Sequence, residues 1–223
     1  MVDSAFVRVN LLVGHPCGTI ADVTGGRRGP YAGTRERRAA IMAAAHGLVT
    51  EQGHRATTAA DVAERAGVTE SAVLYHFPSK EHLYTAVFEH LLSGPAPRED
   101  ATTVAQVEAL LTRLVARDTT NPHLARLYQV LMAESSDPAH PAHDTFVRRT
   151  DLITGAMTRS FAAIQTSGEA VLAASPERCA RLLVGAWDGL QAQWFIRPDF
   201  DLAADVLAAF HAIAPARTTP AAH

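Results

Sequence analysis

TTAADVAERAGVTESAVLYHFPSKEHL, residues 57–83, decides how this chain folds. Thr58-Ala-Ala-Asp61 has the spacing of a capping box, in which a hydroxyl and a carboxylate three residues apart satisfy each other's backbone amides at a helix start. Val62, Ala63 and Ala66 then face inward, and Gly67 stands where a left-handed residue ends the helix. Thr69 caps a second short helix that buries Val73 and Phe77 and stops at Pro78. The segments 58–66 and 69–77 around Gly67-Val68 form a helix-turn-helix arrangement. Val62, Ala63, Val68 and Val73 fill its small core. The second helix is left free to enter a DNA major groove with its N-terminal residues at base edges.

The pattern on either side is helical as well. Upstream, Thr34 is in position to cap a helix lined by Ile41, Ala44, Ala45, Leu48 and Val49, with Gly53 just past its end. Downstream, Ser79 caps a helix burying Leu83, Tyr84, Val87, Phe88, Leu91 and Leu92. Gly94-Pro95-Ala96-Pro97 breaks the pattern and marks a boundary. Longer amphipathic stretches follow: Val104 to Val115; Asn121-Pro122 opening a run through Leu124, Leu127, Tyr128, Leu131 and Met132; and, after a 137–142 loop, Phe146 to Ile164. Pro176 opens a broad apolar helix with Leu182, Leu183, Ala186, Trp187, Leu190, Trp194 and Phe195, and Asp201 caps a last one with Leu202, Val206, Phe210 and Ile213. No alternating strand pattern occurs. The fold class expected is all-α, with an N-terminal three-helix helix-turn-helix domain at 34–92 and a helical effector-binding and dimerisation domain at 100–213. Residues 1–33 read as a disordered leader with a basic arm, and 214–223 as a tail.

The string GVTESAVLYHFPSKEHL at 67–83 resembles the TetR family of bacterial transcriptional regulators, in which a G-V-S-x-G-x-L-Y-x-H-F-x-S-K-E-x-L type segment covers the recognition helix and the start of the next. The resemblance extends through T-T-x-x-D-V-A-E-R-A-G at 57–67 and RGPYAGTRERR at 28–38. It is looser in HPAHDTFVRR (140–149) and GAWDGLQAQWFIRPDFD (185–201). Thr69, Glu70, Ser71 and Tyr75 lie on the face opposite the core and are the expected base-edge readers; Glu70 can accept from a cytosine amino group. The resemblance implies phosphate contacts at Thr58, His76 and Lys80, with Arg35 in the basic entry segment. Leu74 stands where the family usually has Tyr, Ser71 where Gly is common, and Ala60 carries no charge. Ordinary or weak DNA affinity is therefore expected.

Charge is informative only by segment. The whole chain of 223 residues carries a formal −3, which alone nominates no nucleic-acid binder. Arg27, Arg28, Arg35, Arg37 and Arg38 against Glu36 nevertheless put a local +4 before the motif, and residues 93–223 carry the −3. A basic patch confined to one end is the electrostatic footprint of a DNA reader. All but one of the 20 basic residues are arginine, so Lys80 is the single lysine. It falls in the first turn of a helix, where repulsion from the helix dipole calls for an anionic partner.

Hydrophobic residues at 48% and charged residues at 19% exclude a disordered chain. No apolar run is long enough to span a bilayer. FVRVNLLVG near the N-terminus is too short and too broken by Arg8 and Asn10 for a signal-peptide core. Cys17 and Cys179 form neither a disulfide framework nor a four-ligand zinc site, so a reducing cytoplasm is expected. Cys179 reads as a small buried hydrophobe.

The resemblance further implies a homodimer through 176–196 and 201–213, a palindromic double-stranded operator, and a cavity for a small apolar or amphipathic effector. Leu111, Leu114, Tyr128, Met132, Phe146, Ile153, Met157, Trp187, Gln191 and Trp194 are its candidate lining, or else plain core. His140 and His143 with Asp137 and Asp144 lack helical i, i+4 ligand spacing, and no metal or other cofactor is expected. Without a GxSxG elbow, an HExxH pair or a nucleophile with an evident base, an enzyme is disfavoured. The expected function is a repressor released by an inducer; an inducer-independent dimeric DNA-binding protein is the alternative.

Overall fold

The computed structural model describes residues 30–92 and 101–217. Nine helices lie within them: α1 (Pro30–Gln52), α2 (Ala59–Ala66), α3 (Glu70–His76), α4 (Lys80–Leu92), α5 (Val104–Thr120), α6 (Pro122–Glu134), α7 (His143–Ser167), α8 (Pro176–Ile196) and α9 (Leu202–Ile213). The only extended pairing among the described residues is an antiparallel bridge between Ala170 and Ala216. The all-α class expected from the sequence is the one observed. Cys17, Arg27, Arg28, the 94–97 breaker and residues 218–223 lie outside the described residues.

Helix starts follow the capping chemistry with one exception. Thr58, Thr69, Asn121, Ser175 and Asp201 each accept a hydrogen bond from an amide in the first turn of the helix that follows. Thr34, however, lies inside α1, which begins at Pro30. Proline at the first helical position is pre-set to φ near −65° and has no N–H to leave unsatisfied, so it starts the helix a turn earlier than the hydroxyl would. Residues 30–33 therefore belong to α1 and not to a leader. At the other end, residues 213–217 are stitched to the segment between α7 and α8. Val171 N–H donates to Pro215 O (3.0 Å), Ala173 N–H to Ile213 O (2.9 Å) and Arg217 N–H to Glu169 O (3.0 Å). The first residues of the expected tail are thus hydrogen-bonded structure.

The described chain forms two compact units. One comprises α1–α4 together with Asn121–Thr145, and so includes α6. Ile41, Ala45, Val49, Val62, Val73, Phe77 and Phe88 are fully or almost fully buried in it. α6 packs on α1 and α4, with Tyr128 and Phe88 ring centroids 6.0 Å apart. A sequence boundary near residue 92 gives no hint that α6 returns to this unit. The other unit contains α5, α8, α9 and α7 from Phe146 onward. Its core is one cluster of Val107, Leu111 and Val115 from α5, Met157, Phe161 and Ile164 from α7, Cys179, Ala180 and Leu183 from α8, and Leu202, Val206 and Phe210 from α9. Cys179 is fully buried there, as its apolar position in α8 predicts.

Candidate nucleic-acid interface

The helix-turn-helix geometry is built by a few local bonds. Asp61 N–H donates to Thr58 Oγ1 (3.1 Å), and Thr58 N–H donates back to Asp61 Oδ2 (2.8 Å). The Thr58 side chain and amide, with a smaller pull from Lys80, hold the Asp61 carboxyl below its ordinary value. Gly67 has φ +65°, in the left-handed region that a side chain resists. Its turn is closed by Gly67 N–H to Glu64 O (3.2 Å) and Val68 N–H to Ala63 O (3.0 Å). Arg65 pairs bidentately with Glu51 (2.8 and 2.6 Å), tying α2 to α1. On the other side, Tyr84 of α4 donates its hydroxyl to His54 O at 2.8 Å, just before α2. Burial, then the nearby Glu81 charge, pushes that phenol up to about 12; it is a donor at every working pH.

α3 is anchored through its inner side. Val73 and Phe77 are buried, whereas Leu74 is 48% and Tyr75 82% exposed. The Arg38 guanidinium of α1 sits 4.9 Å from the centre of the Phe77 ring, a cation–π contact that no spacing rule revealed. Thr69 accepts from Ala72 N–H at 3.2 Å, and its hydroxyl lies 3.1 Å from that of Ser71. Thr69, Glu70, Ser71 and Tyr75 are all exposed on α3 and its cap, and His76 is half-buried with Tyr75 edge-on to it at 5.3 Å. Thr58 and Lys80 line one recess together with Ser79 and Leu74. Arg35, Arg37 and Arg38 are exposed along the first half of α1. The exposed side of α3 and its cap thus gathers the hydroxyls of Thr69, Ser71 and Tyr75 and the Glu70 carboxylate.

The candidate effector residues divide between the two units. Tyr128 and Met132 lie on α6, in the unit that holds the helix-turn-helix. The other eight belong to the second unit, where Leu111 and Met157 are core members and Trp187 and Trp194 pack against that core. Gln191 is the exception in kind: it is fully buried and donates to Asp118 Oδ2 at 2.6 Å, while Arg117 pairs with the same carboxylate. One helical turn away on α8, Asp188 is the charged group that sequence reading passed over. Burial pushes its carboxyl up to about 6; Arg149 draws it back down, and the Asp118 charge adds to the rise. No periodicity signal marks such a residue, because an aspartate amid leucines and tryptophans looks like a solvated position.

The folded state binds the Asp188 proton more tightly than the unfolded chain does, so its contribution is fully present below pH 3.8 and is lost as pH rises to about 6. Asp188→Asn is expected to abolish that part of the pH dependence and to be the more stable form at pH 7, by on the order of 2 kcal/mol. Thermal unfolding of both proteins between pH 4 and 7 checks it; parallel curves would refute the assignment. Elsewhere, His143 Nδ1 lies 2.8 Å from Ser135 O and His140 Nδ1 accepts from Ala142 N–H at 3.1 Å. Those ring nitrogens are engaged with the backbone of their own loop.

Two short helices joined by a left-handed glycine, the second with an exposed outer face beside a recess that Thr58 and Lys80 help to line, define a helix-turn-helix protein. Residues 41–87 match the family model of bacterial regulatory proteins, tetR family. The helix-turn-helix unit of this chain is thus similar to that of the TetR-family regulators. The chain is 33% identical over 97 residues to the HTH-type transcriptional regulator RutR of Escherichia coli, a match covering 41% of this chain and 46% of RutR. It thus spans about half the length of that relative. The HTH-type transcriptional regulator TtgR of Pseudomonas putida is 26% identical over 186 residues, 77% of this chain and 87% of TtgR. The crystal structure of native NalD, the secondary repressor of the MexAB-OprM multidrug efflux pump in Pseudomonas aeruginosa, shares the fold. It has a TM-score of 0.57 at 21% identity, over 81% of this chain and 98% of NalD. Among the described residues, no helix is long and apolar enough to cross a membrane.

Proposed function

We propose that this chain is a transcriptional repressor that binds a palindromic double-stranded operator as a homodimer and is released by a small apolar or amphipathic inducer. The observation that carries the reading is the outer face of α3, exposed at Thr69, Glu70, Ser71 and Tyr75 and flanked by Thr58 and Lys80. Phosphate contacts at Thr58, His76, Lys80 and Arg35 set the register, and the α3 face reads base edges. NalD is a secondary repressor, and its likeness supports the same role for this chain.

Dimerisation through α8 and α9 is supported by the outward faces of those helices. Leu182, Gly185, Gly189 and Ile196 on α8 and Ala204, Ala208 and Ala212 on α9 are exposed and uncharged. A symmetric pair is what one small recognition helix needs, since a single half-site buries too little surface for adequate specificity. The effector lining is proposed for the eight candidates of the second unit: Leu111, Leu114, Phe146, Ile153, Met157, Trp187, Gln191 and Trp194. An inducer releases operator only insofar as it binds the non-binding state more tightly; coupling of about 1–3 kcal/mol weakens binding roughly 5–150-fold. The core placement of Leu111 and Met157 favours a second reading, in which dimerisation acts without an inducer. A thermal-shift screen of apolar and amphipathic compounds, followed by operator release, separates the two.

Lys80→Ala tests the phosphate contact. It is expected to weaken binding to all DNA sequences equally and to lower the salt slope by about one. Titrations at several salt concentrations on operator and unrelated DNA read this out. A loss confined to one sequence would overturn the assignment.

A further inference from the structure

We propose that Leu74 is a specificity-determining residue that reads the C5-methyl group of thymine. The proposal rests on the reading of α3 as the recognition helix.

The first ground is what α3 lacks. Its sequence, Glu-Ser-Ala-Val-Leu-Tyr-His, contains no Arg or Lys to fork onto guanine and no Asn or Gln to pair with adenine. What remains is the freely exposed Tyr75 hydroxyl, two short hydroxyls and one carboxylate. Thr69 Oγ1 already accepts from Ala72 N–H and lies 3.1 Å from Ser71 Oγ, so these two hydroxyls are partly engaged with their own helix. Glu70 is an acceptor when ionised and so meets amino groups, that of cytosine above all.

The second ground is where the apolar surface lies. Leu74 is 48% exposed, although Val73 before it and Phe77 after it are buried. Leu74 stands three residues after Ser71 and four after Glu70, so the three share a flank of the helix. On its other side it lines the recess containing Thr58, Ser79 and Lys80. It therefore sits between the proposed phosphate contacts and the outermost part of the face, where Tyr75 projects. In B-DNA the thymine C5-methyl lies at the edge of the major groove nearest its own backbone. A branched aliphatic side chain placed between phosphate contacts and base-edge contacts is in position to meet it, and apolar contact is how that methyl is read.

The test uses the full chain and an operator recovered from a randomised-site selection. Each thymine is replaced singly by deoxyuridine, which removes the methyl and leaves every hydrogen-bonding group in place. The expected result is a loss of about fourfold in affinity at one thymine per half-site, the worth of one buried methyl. Leu74→Ala is expected to bind the thymine and deoxyuridine operators equally at that position, and Leu74→Met to keep the preference for thymine. Wild-type binding indifferent to deoxyuridine at every position, or a methyl preference that survives in Leu74→Ala, would overturn the assignment and leave the helix-turn-helix reading standing. A selection that returns no sequence preference would overturn both.

Discussion

Phe77→Ala is expected to destabilise the helix-turn-helix unit by about 3–5 kcal/mol and to abolish operator binding. Phe77 ends α3 and is 3% exposed. Its ring is also the surface on which the Arg38 guanidinium rests, 4.9 Å from the ring centre. α3 has only seven residues, far too few for independent helical stability, so its order depends on what Val73 and Phe77 bury. The cavity left by alanine would therefore act on the readout face directly. Chemical denaturation with the DNA titration reads both effects. Tyr75→Ala is the matched control: with 82% exposure it should change stability by no more than about 0.5 kcal/mol. Wild-type stability in Phe77→Ala would show that α3 is held by something other than its inner side chains.

The second large effect concerns the proposed dimer. Gly185 and Gly189 lie four residues apart on the outer face of α8, and a Cβ built on either meets nothing within 4 Å. Gly189→Arg is therefore accommodated within the protomer, and loss of a mid-helix glycine favours the helix by up to about 1 kcal/mol. If α8 packs against its counterpart, the same substitution drives a charged side chain into the interface. The variant is expected to elute as a monomer at micromolar concentration, to melt no lower than wild type under conditions where both are monomeric, and to bind operator on the order of 100-fold more weakly, because two linked half-sites become one. Light scattering after size exclusion, paired with the DNA titration, reads this out. An unchanged dimer would move the interface off this face.

Legibility followed the range of the physics involved. Capping is a matter of three or four residues, so Thr58 with Asp61, Thr69, Asn121 and Asp201 could be placed from spacing alone. Gly53 and Gly67 were equally plain, and both have positive φ. Thr34 misled because a hydroxyl before an apolar stripe is a good start signal only where nothing upstream competes, and Pro30 does. Long-range features gave no sign. Nothing in the local sequence of α6 says that it packs on α1 and α4, because its apolar stripe would serve either unit. Arg38 over Phe77 and Gln191 on Asp118 join residues far apart in the chain, beyond the reach of any periodicity. Leu74 is the instructive case. In the sequence it registers as a missing hydroxyl, a deficit against the family pattern, and its half-exposed side chain becomes meaningful only once Val73 and Phe77 are seen to take the core.

The net charge of −3 likewise conceals an uneven distribution. Arg35, Arg37 and Arg38 are exposed on α1, in the same unit as the exposed face of α3, so attraction to DNA depends on local and not total charge.

Selection from a randomised duplex pool with the purified full chain shows whether paired α3 helices read a DNA sequence. Sequence-specific reading by a symmetric pair of α3 helices predicts enrichment of an inverted repeat whose half-site centres are separated by about one helical turn or a multiple of it. A pool that remains unenriched through successive rounds would contradict it.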